Sequence, residues 1–291
     1  MKLLTSAKII ATFSLCLIAI GSLAQEKKVY NIGILADDVS PQSAPLFEKL
    51  KSEIAAVVGE DAIVYYPEKA LLVNNHDPEK AKIQYTQLVN DETDIILAFG
   101  PINAQFISKQ PNYPKPTILF GAIAKDFNGV NYSNDTSGIE NFTYLIQSQS
   151  YEQDLLKFKE LTNFKKLGFA IDRTTYENLP VEEVVSKILS LVNSEYEIIP
   201  FDSVDDIISR IDDIDALYLA GGFFLDDASI KRLAKQLINQ KVSSFSANGI
   251  NHVRSGLMAT LQPEENTEQF FRRIALTIDL YINGSPLADL P

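Results

Sequence analysis

The sequence predicts an α/β protein of two lobes, each a parallel sheet with helices on both faces. Three observations carry that expectation. Short apolar runs bounded by turn residues alternate with helix-spaced segments from Val29 onward. The alternation lapses once, between Lys125 and Gln147, and then restarts. The two series also match in type, since Asp94-Ile-Ile-Leu-Ala-Phe-Gly100 pairs with Asp215-Ala-Leu-Tyr-Leu-Ala-Gly221, each ahead of a helix.

The elements follow in order. Val29 to Leu35 (VYNIGIL) reads as a buried strand closed by the polar Ala36-Asp37-Asp38, and Leu46, Leu50, Ile54 and Val57 place a helix over Ala44 to Val58. A strand over Ala62 to Tyr66 precedes a helix from Asp77 to Val89, with Pro78 in the first turn, where no N–H is missed. The strand Asp94 to Phe99 stops at Gly100-Pro101, a helix covers Asn103 to Lys109, and Pro116 to Phe120 ends the first series. Lys125 to Gln147, rich in Asn, Ser, Gly and Thr, has no sustained period and reads as the crossing between lobes.

The second series runs through a helix (Tyr151 to Leu161), a strand (Lys166 to Ile171), a helix (Val181 to Val192) and a strand (Tyr196 to Phe201). A helix at Asp205 to Ile211, the strand Ala216 to Ala220, the helix Asp227 to Asn239 and the strand Ser243 to Ser246 complete it. A last helix, Pro263 to Ile282, stops at Asn283-Gly284. Val29 to Leu35 corresponds to Lys166 to Ile171, and Thr117 to Gly121 to Ser243 to Ala247, so the architecture is duplicated as two Rossmann-like lobes. The expected division is residues 25–125 plus about 262–283 for lobe 1, and 126–261 plus the C-terminal tail for lobe 2.

Residues 1–24 stand apart. Lys2 and Lys8, the apolar run Ile9 to Ile20 and the small residues of Ser22-Leu23-Ala24 have the form of a secretory signal peptide cut after Ala24. The run is short for a membrane span of about 20 residues. The single cysteine, Cys16, follows Leu15 rather than a small residue, which disfavours lipid attachment. Removing Lys2 and Lys8 from the 26 basic residues leaves 24 against 38 acidic ones, a net charge of −14. That balance disfavours nucleic acid and anionic membranes as partners.

In an open parallel sheet a ligand binds beyond the carboxyl ends of the strands, and two lobes can turn those ends towards one another around it. In "ALYLAGGFFLDD" (Ala216 to Asp227) the strand ends in two glycines, and Phe223 and Phe224 then stand either at a cleft wall or folded back as a cap on the lobe core.

The chain resembles the periplasmic solute-binding proteins of ABC transporters, of the type I fold. The resemblance rests on Val29 to Leu35, "DETDIILAFGPINAQ" (Asp91 to Gln105), "KPTILFGAIAKDFNGV" (Lys115 to Val130), "KKLGFAIDRT" (Lys165 to Thr174) and the tail "YINGSPLADLP" (Tyr281 to Pro291). It implies a monomeric periplasmic receptor, without cofactor or metal. Such a receptor captures a small solute, among them amino acids and other small carboxylates, and hands it to a membrane permease. It further implies that the tail leaves the last helix through a Gly turn into a proline-bearing strand. Two stretches depart from the family: the acidic "ADDVSPQSAP" after the first strand, and "GLMATLQPEEN" (Gly256 to Asn266).

Carried over position by position, the resemblance places candidate contacts at Asp37, Asp38, Ser40, Gly100, Asn103, Gly121 and Ala122 in lobe 1. In lobe 2 it places them at Asp172, Arg173, Tyr176, Gly222, Phe223 and Asn248. The turns Gly100 to Asn103 and Ala122 to Lys125 offer N–H donors to a carboxylate. Arg173 either grips a carboxylate or makes a surface ion pair. Asp37 and Asp38 either take an amino group or cap the next helix, and Ser40, Asn103 and Asn248 pose the same choice. His76 and His252 lack zinc-site spacing.

No G-x-S-x-G, Walker A or G-x-G-x-x-G motif is present, so a receptor that does not turn over its ligand leads. The alternatives are a secreted two-lobed enzyme, or a receptor that docks on a sensor or efflux assembly.

Overall fold

The computed structural model describes residues 27–39, 44–59, 61–120, 136–145, 150–222, 224–262 and 267–291. The signal-peptide segment, Ser40, Gly121, Ala122, the turn Ala122 to Lys125 and Phe223 lie outside them.

Ten strands and ten α-helices are assigned among the described residues. The strands are β1 (Lys28–Ala36), β2 (Ala62–Tyr65), β3 (Leu71–Val73), β4 (Ile95–Phe99), β5 (Thr117–Phe120), β6 (Phe142–Leu145), β7 (Lys166–Asp172), β8 (Glu195–Phe201), β9 (Ala216–Leu219) and β10 (Ser243–Ser246). The helices are α1 (Ala44–Val58), α2 (Pro78–Asn90), α3 (Pro101–Ile107), α4 (Tyr151–Thr162), α5 (Arg173–Asn178), α6 (Val181–Val192), α7 (Val204–Ile208), α8 (Asp227–Gln240), α9 (Ile250–Arg254) and α10 (Thr267–Ile282).

Two parallel sheets result. The first runs β2-β1-β4-β5-β6, with β3 on the second half of β1; the second runs β10-β9-β7-β8. Helices cover both faces, so inner stretches such as Ile95 to Ala98 and Ala216 to Leu219 are apolar and buried at every residue. In the first sheet, Ile32, Ile34, Leu97 and Ile118 pack with Leu50 and Ile54 of α1 and Ile274 and Ile278 of α10. Leu35, Ile96 and Leu119 turn to Tyr85 and Leu88 of α2 and Ala104 and Ile107 of α3. The second sheet has the same build. Phe169, Tyr218 and Phe245 meet α4 and α6 on one face, and Leu217 and Leu219 meet α7 and α8 on the other. Each large apolar side chain so buried contributes about 1.5–3 kcal/mol.

The expected duplication holds down to single hydrogen bonds. Asp94 Oδ2 accepts from the Asn31 N–H at 2.7 Å, fastening β1 beside β4. Asp215 does the same for β7 beside β9, accepting from the Lys165 and Lys166 N–H groups at 2.8 and 3.0 Å. Asp94→Ala and Asp215→Ala are each expected to cost about 1–2 kcal/mol. The two losses should add within about 0.5 kcal/mol, since the sites share no partner. Urea titration of both single variants and the double variant checks this.

Four differences from the sequence reading have physical causes. The segment read as a featureless crossing contains β6, which pairs with β5 and belongs to the first sheet. Its residues Phe142 to Leu145 are buried on both sides and so show no alternation. The tail ends in a 3-10 turn at Leu287–Asp289 and not a strand. Leu287 and Leu290 sit in the first sheet's core, and Thr143 Oγ1 donates to the Leu290 carbonyl at 2.9 Å, so the assignment of residues 126–261 and the tail to lobe 2 is corrected there.

Register moves one alignment by a residue. Thr117 stands opposite Ile96 and Ser244 opposite Leu217, so Thr117 matches Ser244 and Phe120 matches Ala247. Finally, a helix that the pattern did not assign, α5, begins directly at Arg173.

Candidate functional site

The carboxyl end of each sheet carries an aspartate at the end of an inner strand, β1 in the first and β7 in the second. Asp37 follows β1 and is buried, at 2% exposure. Its Oδ2 accepts from the Ile102 N–H at 2.6 Å, and its Oδ1 from the Asn103 N–H at 3.1 Å and the Asn74 amide at 2.8 Å. The carboxylate thus caps the first turn of α3 from a neighbouring strand. Burial raises its pKa above the ordinary carboxylate range, against the hydrogen bonds from Asn74, Ile102 and Asn103 and the charge of nearby His76.

Asn103 is fully buried behind it. Its side-chain amide donates to the Phe99 and Leu35 carbonyls at 2.9 and 3.3 Å, and its Oδ1 accepts from Asn74. For Asp37 and Asn103 the capping and structural readings therefore hold. Gly100 makes this possible, having φ 108° and a hydrogen where a Cβ would lie 2.4 Å from the Asp37 carboxyl.

Asp172, the last residue of β7, is the counterpart. Its Oδ1 accepts from the Gly222 N–H at 2.9 Å. Burial raises this carboxyl too, offset by the Gly222 hydrogen bond, its own backbone and again the charge of His76. Gly221 has no room for a side chain, because a Cβ would lie 2.1 Å from Asp172 Oδ2. Both sheets thus use one device, an aspartate at the end of an inner strand held by N–H groups of the turn after the adjacent strand.

Asn248 follows β10. Its amide nitrogen donates to the Gly221 carbonyl at 2.5 Å. A carbonyl only accepts, so that contact fixes the amide's orientation. It turns Oδ1 the other way, buried and without a partner among the described residues. Ser246 holds the turn, accepting from the Asn248 N–H at 3.0 Å while pairing with His252 Nδ1 at 2.8 Å. Burial lowers the pKa of His252, so the neutral imidazole is favoured.

The remaining expected contacts lie at the rim. Arg173 Nε bonds Asp202 at 2.6 Å and Nη2 bonds the Pro200 carbonyl at 3.2 Å, so of its two readings the structure shows the surface ion pair. The acid lies just beyond the neighbouring strand β8, within easy reach of a side chain at the start of α5. Tyr176 donates to Glu182 at 2.5 Å, and Asp38 is exposed. Phe224 is 55% exposed and leans on buried Phe201 with ring centroids 5.8 Å apart, so it does not cap the core.

Sequence reasoning passed over Asn74 and the site role of His76. The signal was present in "NNHDP", where Asn75 and His76 take φ of 56° and 62°, a conformation in which Asn is common and His less so. The two halves meet here, where α3 touches α5.

Neither a protein-family model nor a curated protein sequence matches the chain. Solved structures do. A conserved domain protein from Vibrio cholerae superposes with a TM-score of 0.62 at 16% identity, covering 90% of this chain and 88% of that one. The ABC domain in complex with L-Trp from Streptococcus pneumoniae gives 0.58 at 17%, with 89% and 88% covered. The fold is that of the type I periplasmic binding proteins. A carbohydrate transporter from Acidothermus cellulolyticus in complex with myo-inositol shares this binding-protein fold at 11% identity, with a TM-score of 0.57 and 88% and 87% covered. Among the described residues no helix is long and apolar enough to cross a membrane, and no group of three or more His, Cys, Asp and Glu side chains is placed to hold a metal.

Proposed function

We propose that the protein is a solute receptor, secreted to the periplasm after cleavage behind Ala24, which holds a small molecule between the carboxyl ends of its two sheets and delivers it to an ABC-transporter permease. The observation that carries this reading is the duplicated aspartate device. It shapes both sheet edges alike and presents them together at the contact of α3 with α5. The binding-protein fold supports it, and the superposed structures with L-Trp and myo-inositol bind small molecules. The two aspartates hold backbone N–H groups, a structural use that weighs against the enzyme alternative.

The solute offers a hydrogen-bond donor to Asn248 Oδ1, whose buried position costs about 1–3 kcal/mol while it lacks a partner. An amino acid meets that need through its ammonium group and a polyol through a hydroxyl. A simple carboxylate gains nothing there, and Arg173 is already held by Asp202.

Thermal denaturation against amino acids, amines, polyols and carboxylates tests the reading. A true solute at 100 times its dissociation constant stabilises the fold by about 2.7 kcal/mol. The shift should appear with a donor-bearing class and fall at least tenfold in apparent affinity in Asn248→Ala. If a folded protein shifts with no class, the receptor reading fails.

A further inference from the structure

The stretch Ser246 to His252 (SANGINH) doubles back, so that its last side chain meets its first. β10 ends at Ser246, whose N–H donates to the Ala259 carbonyl at 2.9 Å, and the Ala247 N–H donates to the Leu219 carbonyl at the same distance. Backbone bonds hold the chain to that point. Beyond it Asn248 leaves the sheet, Gly249 turns at φ 89°, and α9 carries His252 back to the strand end. Among the described residues the Asn248 N–H has one acceptor, Ser246 Oγ at 3.0 Å, and that hydroxyl has one further partner, His252 Nδ1 at 2.8 Å.

The hydrogens of this triad can be placed. Ser246 is fully buried, so its hydroxyl hydrogen has to find an acceptor inside the protein. Were Nδ1 to carry a hydrogen, it would point at Oγ together with the Asn248 N–H, and the hydroxyl's own hydrogen would be left without an acceptor. With Nδ1 bare the count closes, since the Asn248 N–H gives to Oγ and the Ser246 O–H gives to Nδ1. The imidazole is then neutral with its hydrogen on Nε2, and burial acts in the same direction.

The consequence falls on Asn248. An Asn side chain can present its oxygen or its NH2 to a ligand, and here the turn decides by bringing Nδ2 onto the Gly221 carbonyl at 2.5 Å, with the buried Oδ1 on the other side. A contact residue is only as well aimed as the groups behind it. The Ser246 hydroxyl is free to rotate unless His252 holds it.

We propose that His252 is a positioning residue of the solute site, fixing through Ser246 the turn that aims the Asn248 amide and so selecting a solute that donates a hydrogen bond there over one that accepts. The selection rests on the receptor reading; the positioning is tested without any solute.

The test follows the Asn248 side-chain NH2 by NMR in the full chain, isotope-labelled at asparagine and alanine nitrogens, with the resonance assigned by its loss in Asn248→Asp. His252→Leu removes the acceptor and keeps an apolar bulk, and His252→Asn puts a carbonyl oxygen close to where Nδ1 stood. Ser246→Ala removes the hydroxyl and carries the same prediction should His252→Leu not fold. Exchange of the NH2 with water is expected to rise at least about tenfold in His252→Leu and Ser246→Ala, and to stay within about threefold of the native rate in His252→Asn. The Ala247 N–H, bonded to the Leu219 carbonyl, should change by less than about threefold in all three. Native exchange at Asn248 in His252→Leu or Ser246→Ala, or a loss in His252→Asn equal to that in His252→Leu, would overturn the positioning role. So would a loss at Ala247 matching that at Asn248, which would make His252 a prop of β10 as a whole. Those results leave the receptor reading standing, and a solute panel without a hit removes the selection and leaves the positioning intact.

Discussion

Gly100→Ala should lower the unfolding free energy by about 3–5 kcal/mol, among the largest effects a single methyl can have in this protein. Two costs combine. At φ 108° an L-residue is strained whatever the space around it, a penalty of about 1–3 kcal/mol. The new Cβ would also lie 2.4 Å from the Asp37 carboxyl, which is fixed by three hydrogen bonds and cannot turn away without breaking them. Gly221→Ala separates the two terms. Its φ is not positive, and its clash is with Asp172, whose carboxylate accepts from the Gly222 N–H. A loss of about 2–3 kcal/mol is expected there. Urea unfolding measures both. A Gly100→Ala loss below about 1 kcal/mol would mean that the Asp37 network yields easily.

The contrast between these glycines shows what the sequence carries and what it does not. "DIILAFG" and "DALYLAG" revealed the duplication because a buried parallel strand must be apolar and must end in a turn, and both demands are local. The same two words contain the aspartates that fasten β1 and β7, and their matched positions already hinted at a shared task. The strand β6 escaped because four residues buried on both faces, set among Asn, Ser and Thr, have no period to detect. The tail escaped for another reason. Leu287 and Leu290 are apolar in any reading, and which core they enter is decided by the path of α10 along α1.

At the site, the positions of Asp37 and Asp172 were legible as strand ends, whereas their partners were not. Asn74 lies 37 residues from Asp37 and Ile102 lies 65, so the carboxylate's commitment to a cap exists only in three dimensions. Arg173 makes the same point, its sequence leaving open a carboxylate grip or an ion pair. A guanidinium at a strand end looks available in a sequence, and the acid that claims it, Asp202, is 29 residues away.

Asp37→Ala should cost about 3–5 kcal/mol, because it strips the cap from α3 and leaves the Ile102 and Asn103 N–H groups buried without an acceptor. The loss should also depend on pH, in a direction that tests the balance at this carboxyl. Burial favours the neutral acid and the donated hydrogen bonds favour the carboxylate; burial is the larger, so the folded pKa stands above the unfolded value of 3.8. A group shifted upward contributes stability that is fully present below its unfolded pKa and is lost as pH rises through its folded pKa. The stability difference between the native chain and Asp37→Ala should therefore be greatest below about pH 4 and decline as pH rises through the raised value. Urea midpoints of the two proteins at intervals over about pH 3–7 give this difference directly, because titrations elsewhere in the molecule cancel between them. A difference that instead grew with pH would mean that the N–H donors of α3 outweigh burial. Asp37 would then be a conventional charged cap, and its strand end would be far more open to water than 2% exposure implies.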